Sequence, residues 1–96
     1  MGGRKEVIIV NRAKIVFVNG ESITVSEGQL LFPFRRIETK DKVFISKWEP
    51  VKLWDHLELG LLPGVGDMLA SCEFFSLTDS CEKLYRSSAV LSIEQI

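Results

Sequence analysis

The 96-residue sequence has only one histidine, two cysteines and three prolines, and this scarcity removes several kinds of site at once. His56 has Asp55 as its nearest acid, but adjacent residues point about 100° apart on a helix, so no positioned acid–base pair is predicted. Cys72 and Cys81 lack the paired spacing of a zinc site. No P-loop or dinucleotide fingerprint occurs. We therefore predict no enzyme activity, no catalytic residues, no metal site and no cofactor.

Long apolar runs are also absent. No stretch approaches the roughly 18–20 apolar residues of a membrane helix, and the apolar segment 7–10 is too short for the core of a secretion signal. These absences predict a cytoplasmic protein without a membrane segment. Apolar residues make up 46% of the chain and charged residues 26%, as in ordinary globular domains. We expect one small folded domain over residues 1–96.

The charges are divided unevenly between the two halves of the chain. Residues 1–48 hold nine Lys/Arg and five Asp/Glu, whereas residues 49–96 hold three Lys/Arg and eight Asp/Glu. Halves of opposite sign either face each other within one fold or offer surfaces to a charged partner. A second copy of the chain, bound head to tail, is one such partner.

The first half of the chain alternates short β-forming segments with turn residues. This pattern predicts an antiparallel meander that curls toward a small barrel or roll, with strands at 7–10, 14–18, 21–25, 29–34 and 42–45. Pro33 lies inside the fourth of these strands and lacks the N–H that a central strand donates. The fourth strand is therefore predicted to be an edge strand or to carry a bulge.

The dipeptide Asn19-Gly20 predicts a two-residue type I′ turn, since both residues tolerate positive φ. That turn sets Val16 opposite Ile23 on a core face and leaves Ile15 and Phe17 on the other face. Both faces of the hairpin then carry apolar side chains. Such strands need cover on both sides, from the second half of the chain or from a second copy.

The second half predicts one helix and a strand pair. Pro50 suits a first helical position, and Val51, Trp54, Leu57 and Leu61 recur at helical spacing, so we predict a helix over residues 50–60. Residues 71–77 and 83–93 predict a C-terminal strand pair, although residues 67–75 also fit a short helix. The predicted class is therefore β-rich α+β.

The segment Leu62-Pro63-Gly64-Val65-Gly66 resembles the hairpin of the helix-hairpin-helix family. The resemblance implies that the backbone N–H groups of Gly64, Val65 and Gly66 contact a phosphate of nucleic acid, assisted by the positive end of the following helix. The chain departs from that family at Asp67, where nucleic-acid-binding members carry a basic residue. A structural turn is the alternative interpretation of this segment.

The segment AKIVFVNGESITVSEGQLLFPFRR, residues 13–36, is similar to the N-terminal sheet domain of AraC-type transcription regulators. The resemblance implies a cupin-like barrel that binds a small molecule or mediates dimerisation. It covers about a quarter of the chain and identifies no site residue.

Tryptophan and arginine next to predicted strand ends are candidates for a binding surface. These residue types are enriched at the energetic centres of protein interfaces. The candidate binding residues are Arg35, Arg36, Lys40, Trp48 and Trp54.

The sequence thus predicts a non-enzymatic protein-interaction or regulatory module that associates with itself as a homodimer. A nucleic-acid-binding module is the first alternative, through the basic N-terminal half or the Gly64–Gly66 hairpin. A small-molecule-binding, cupin-like regulatory domain is the second.

Overall fold

The computed structural model describes residues 11–96, which form eight strands and one α-helix. The strands are β1 (Arg12–Phe17), β2 (Ser22–Ser26), β3 (Leu30–Glu38), β4 (Val43–Lys47), β5 (Val51–Lys52), β6 (Phe74–Ser76), β7 (Tyr85–Arg86) and β8 (Val90–Gln95), and the helix is α1 (Leu62–Ser71). One antiparallel sheet has the order β2-β1-β8. The other has the order β4-β3-β6-β7, with β5 also paired to β3. The β-rich α+β class is confirmed, and within residues 11–96 neither sheet closes into a barrel.

Four strands predicted in the first half are confirmed. β1, β2, β3 and β4 overlap the predicted segments 14–18, 21–25, 29–34 and 42–45. The strand predicted at 7–10 lies outside the described residues. The predicted C-terminal strand pair is also confirmed, because β6 pairs antiparallel with β7, whereas β8 returns to pair with β1.

The pairing of β1 with β2 differs by one residue from the predicted register. Ile15, not Val16, lies opposite Ile23, because the loop between the strands has three residues, 18–20, rather than two. The glycine of this loop has a φ of 90°, and its N–H donates to Phe17 O at 2.9 Å. A three-residue hairpin loop ends on such a left-handed residue.

The observed register gives this hairpin one core face rather than two. A one-residue shift turns every side chain of a strand to the opposite face. The core face carries Ala13, Ile15, Phe17, Ile23 and Val25, of which all but Ile23 are buried. The other face is mainly polar. The predicted two-sided apolar hairpin is therefore wrong, and the hairpin by itself needs no second layer of cover.

An aromatic cluster joins the two sheets. Phe17 of the first sheet stacks on Tyr85 of the second with ring centroids 5.3 Å apart, and Phe75 lies 5.4 Å from Tyr85. Offset aromatic contacts of this kind add about 0.5–1.5 kcal/mol each beyond the area they bury. α1 closes the core from one end with its buried residues Val65 and Met68.

Pro33 interrupts the pairing along β3. Its carbonyl accepts a hydrogen bond from Trp48 N–H at 2.9 Å, so its missing N–H faces the same neighbouring segment. β4 ends at Lys47, and pairing resumes at β5, where Val51 lies opposite Leu31. Three residues, 48–50, thus face two residues of β3, which is a one-residue β-bulge.

Pro33 was predicted to place its strand at an edge or to cause a bulge. The edge position is wrong, because β3 has β4 and β5 on one side and β6 on the other. A bulge is present, but on the segment that pairs with β3 rather than on β3 itself. It also reverses the alternation of side chains there: even-numbered residues such as Phe44 share the face of Ile37, whereas Val51 shares the face of Leu31.

The helix predicted at 50–60 is wrong. The first residues of that segment are extended because they pair with β3 and the residue before it: Val51 lies in β5, and Leu53 N–H donates to Gln29 O at 2.9 Å. Residues 54–60 form a loop whose two flanking leucines, Leu53 and Leu61, are fully buried. The apolar residues at helical spacing in this segment therefore do not share one buried helix face: Leu61 is buried, whereas Trp54 and Leu57 lie in the exposed loop before it.

The segment 62–66, for which a structural turn was one interpretation, forms the start of α1. Pro63 occupies the first turn of α1, where its missing N–H removes no helical hydrogen bond. Gly64 and Gly66 lie within the helix. Residues 67–77, which fitted either a helix or a strand, contain both, because α1 ends at Ser71 and β6 begins at Phe74.

The register of the first hairpin predicts opposite sensitivities for two neighbouring side chains. Ile15→Ala leaves a cavity in the buried core and should lower the free energy of unfolding by about 2–4 kcal/mol. Val16→Ala, on the half-buried outer face, should lower it by less than about 1 kcal/mol. Urea denaturation of the two variants measures the difference. The reverse ranking would support the two-residue turn.

Candidate interaction surfaces

Beyond the bulge, β3 and β4 form a two-stranded ribbon, which we call the arm and count together with Trp48 at its base (residues 34–48). Its tip is the Thr39–Lys42 turn, in which Thr39 N–H donates to Lys42 O at 2.9 Å. β4 carries three consecutive exposed apolar residues, Val43, Phe44 and Ile45. Among the described residues only β3 pairs with β4, so the other edge of β4 is open within residues 11–96.

One face of the arm continues the core-facing side of β3, and we call it the inner face. Leu31 and Pro33, on that side, are buried, and Arg35 and Ile37 follow at the same two-residue period. Phe44 lies opposite Ile37 and is 40% exposed. The inner face is thus an apolar surface beyond the edge of the core.

Cations cover the aromatic rings of the inner face. The guanidinium of Arg35 lies 4.4 Å from the centroid of the Trp48 ring, and Lys42 Nζ lies 5.2 Å from that of Phe44. Trp48 itself is 44% exposed. Cation–π contacts at exposed sites contribute about 0.5–1 kcal/mol each. They give the inner face a mixed apolar and positive character.

The base of the arm is tied to the body by an ion pair. Lys47 Nζ donates to Asp79 Oδ1 at 2.8 Å and to the Asp79 carbonyl at 3.1 Å. The side-chain hydrogen bond to Asp79 raises the pKa of Lys47 above its ordinary value. Arg36, on the opposite face from Arg35, pairs with Glu38 at 2.8 Å. Both pairs are exposed, so they orient the arm more than they stabilise the fold.

A small groove lies between the arm and the end of α1. It has a volume of about 210 Å³ and is lined by Arg35, Arg36 and residues 70–73. α1 has no basic residue in its own last turn, and Arg35 brings a positive charge close to the negative end of the helix. Glu73 N–H donates to Phe34 O at 3.0 Å, which fixes this end of the helix against the arm.

Cys72 lines the same groove as a free, half-buried thiol. Burial raises the pKa of Cys72, and this effect is opposed by the hydrogen bond with Ser87 Oγ at 3.2 Å and by the charge of Arg35. A thiol with a raised pKa is protonated at neutral pH and is a poor nucleophile. Cys81 is also free.

A second exposed surface is the segment 54–60, which we call the loop. Leu57 at its tip is 100% exposed and Trp54 is 65% exposed. The loop is closed by two hydrogen bonds, His56 N–H to Gly60 O at 2.8 Å and Gly60 N–H to His56 O at 2.9 Å. Leu61 N–H donates to Gln95 Oε1 at 3.1 Å, which ties the end of the loop to β8.

The structure divides the five predicted binding residues between the two surfaces. It brings Arg35 and Trp48 together on the inner face. Arg36 lies on the opposite face of the arm, and Lys40 lies at its tip. Trp54 belongs to the loop, beyond the other end of β3, so the five residues do not form one site.

Sequence reasoning missed several apolar residues of these surfaces. Half-buried Ile37 and exposed Phe44 belong to the inner face, and the exposed Leu57 and Leu59 belong to the loop. The alternation of Arg35 and Ile37 before the turn residues at 39–41 was a local signal for the arm. The exposure of Leu57 was indicated by its position between Asp55 and Glu58, because acidic neighbours are unusual around a core leucine.

The phosphate-binding hairpin proposed for Gly64, Val65 and Gly66 is wrong. These residues lie inside a single helix rather than between two helices, and Val65 is fully buried with its N–H bonded to Leu61 O at 3.1 Å. Neither glycine has a positive φ. The N–H groups required for that resemblance are therefore not presented by a hairpin.

Within residues 11–96 no group of three or more His, Cys, Asp or Glu side chains is placed to hold a metal ion. The grooves are open and shallow, and one beside Trp48 has a volume of about 370 Å³. The enclosed pocket implied by the cupin-like resemblance has no barrel to form it in the described part of the chain. No helix of that part is long and apolar enough to cross a membrane.

In comparison with known proteins, the chain matches no protein-family model, no curated protein and no solved structure.

The loop anchor at Gly60 predicts a contrast between two glycine substitutions. Gly60 has a φ of 59°, and an added Cβ would lie 2.5 Å from Gln95 Oε1, so Gly60→Ala should lower the free energy of unfolding by about 1–3 kcal/mol. Gly66→Ala meets no atom within 4 Å and should raise that energy by up to about 1 kcal/mol, because alanine favours a helix. Thermal or urea unfolding checks both. Destabilisation by Gly66→Ala would instead support a turn at this position.

Proposed function

We propose that this chain is a non-enzymatic protein-interaction module that associates with itself through the arm. The observation that carries the proposal is the row of three exposed apolar residues, Val43, Phe44 and Ile45, on a strand whose outer edge is open within the described residues. Such a strand is a template for pairing or packing with another chain. The predicted need for a second layer of cover thus moves from the first hairpin to the arm.

The marginal stability of an isolated ribbon supports this function. A two-stranded hairpin without a packed face is at best marginally stable in water, and the arm is tied to the body at its base, by the Lys47–Asp79 ion pair and the bond from Glu73 N–H to Phe34 O. Because Val43, Phe44 and Ile45 are consecutive, both faces of the arm expose apolar side chains, with Phe44 on the inner face and Val43 and Ile45 on the outer face. Contact with another protein surface would bury them and order the ribbon.

The proposal predicts a mass that depends on concentration and on Phe44. Light scattering across a concentration series should give a mass that rises above the 10.9 kDa of one chain. Phe44→Ser should weaken the association about tenfold or more, because it removes an exposed aromatic anchor.

Leu91→Ser is the matched control. Leu91 is 68% exposed on β8, so this variant also loses an exposed apolar side chain, but outside the arm. Its association should equal that of the unaltered chain. A mass of one chain at every concentration would refute self-association.

A second candidate function, nucleic-acid binding, is favoured by one feature of the arm. Residues 34–48 hold five Lys/Arg and two Asp/Glu, and the exposed rings of Phe44 and Trp48 lie among these cations. Cations that contact phosphates, together with aromatic rings that stack on bases, are typical of single-strand binding surfaces.

Nucleic-acid binding predicts a salt-sensitive mobility shift with a single-stranded oligonucleotide. The shift should vanish as salt is raised, because each phosphate contact releases a counterion. Lys40→Gln and Lys42→Gln should each reduce the affinity for any sequence, since Lys42 lies over the Phe44 ring, and Lys83→Gln, outside the arm, should not. Absence of a shift at low salt would exclude this function.

A further inference from the structure

The loop has the properties of a docking element rather than of a surface turn. Three of its side chains, Trp54, Leu57 and Leu59, are exposed and apolar, and Leu57 has no cover at all. Exposed apolar residues that occur singly need no explanation, but a cluster of them is typical of an interaction site.

The loop is also held in a defined shape. The two hydrogen bonds between His56 and Gly60 close it, and the buried side chains of Leu53 and Leu61 anchor both ends. The bond from Leu61 N–H to Gln95 Oε1 adds a link to β8. A segment that is already ordered loses little conformational entropy when it binds.

The loop and the arm are complementary in charge and similar in polarity. The loop carries Asp55 and Glu58 and no Lys or Arg, whereas residues 34–48 have a net charge of +3. Both surfaces expose aromatic and aliphatic side chains at their centres. Complementary charge around an apolar contact favours the correct pairing and speeds association.

The two surfaces lie at opposite ends of β3. Leu30 at one end pairs with Lys52, immediately before the loop, and Glu38 at the other end pairs with Val43 in the arm. Nine extended residues span about 25 Å, and α1 runs from the loop to the base of the arm between them. One copy therefore does not close its own loop on its own arm.

We infer that the loop of one copy docks on the inner face of the arm of the next copy, so that the chain assembles head to tail. Leu57 packs against Ile37 and Phe44, which lie opposite each other, and the acidic residues of the loop face Arg35 and Lys42. An arm-to-arm contact brings together two surfaces of the same charge. The inference rests on the proposed function and specifies the partner surface.

Mixing two single variants tests the arrangement. Phe44→Ser should disable the arm and Leu57→Ser the loop, so each variant alone should remain a monomer at concentrations where the unaltered chain associates. In a 1:1 mixture, the intact loop of the first variant meets the intact arm of the second. The mixture should form a heterodimer of twice the single-chain mass and grow no further, whereas the unaltered chain should grow beyond a dimer, as head-to-tail contacts do when they do not close into a two-membered ring.

Each contrary result has a distinct meaning. If Leu57→Ser associates as the unaltered chain does while Phe44→Ser does not, the contact is arm to arm: self-association stands and the head-to-tail inference fails. If the unaltered chain is monomeric at every concentration, both fail. A mixture that stays monomeric also overturns the inference. Leu91→Ser is the control, and circular dichroism of each variant checks that the fold is retained.

The sign of the salt dependence is a second test that needs no variant. Opposite charges across a head-to-tail contact attract, so association should weaken as ionic strength rises. Two positive arms repel, and their association would strengthen with salt. Light scattering of the unaltered chain at low and high salt separates the two arrangements.

Discussion

The missing N–H of Pro33 is the constraint on which the division of this molecule depends. A proline inside a strand leaves one ladder hydrogen bond unmade, and here that position faces Trp48. Pairing stops there and resumes one residue out of step at Val51. Leu31, Phe32 and Pro33 are buried where β5 and β6 pair with β3, whereas the second half of the strand leaves the core with β4 alone. One long strand thus belongs to two environments.

Strand positions were predictable because short β-branched segments between turn residues carry a local signal, as β1 to β4 illustrate. The register was not predictable, because Asn19-Gly20 fits both a two-residue and a three-residue loop. The choice depends on the burial of Ile15 in a core that also contains residues distant in sequence, such as Phe75. The helix was misplaced for a similar reason. Residues 51–53 pair with β3 through contacts that lie about twenty residues away in sequence.

The candidate surfaces were predictable in residue type and only partly in location. Arg35 and Trp48 drew attention as typical interface residues, and the structure joins them. The exposure of Phe44 and Leu57 depends on where the core ends, and a pattern of apolar residues does not contain that boundary. Glycine-rich Gly64–Gly66 misled in the opposite direction, since burial of Val65 and Met68 favours a helix despite two glycines.

The bulge at residues 48–50 has a consequence for how such a chain can evolve. Deleting one codon there would leave two residues facing two, a regular ladder in which Val51 still lies opposite Leu31, whereas inserting one would enlarge the bulge, so the segment tolerates the loss of a residue better than the gain of one. The Thr39–Lys42 turn is free of this restriction, because inserted residues there lengthen the ribbon without altering the phase of the body. Related chains are therefore expected to differ in ribbon length and, at residues 48–50, to lack a residue more often than to gain one.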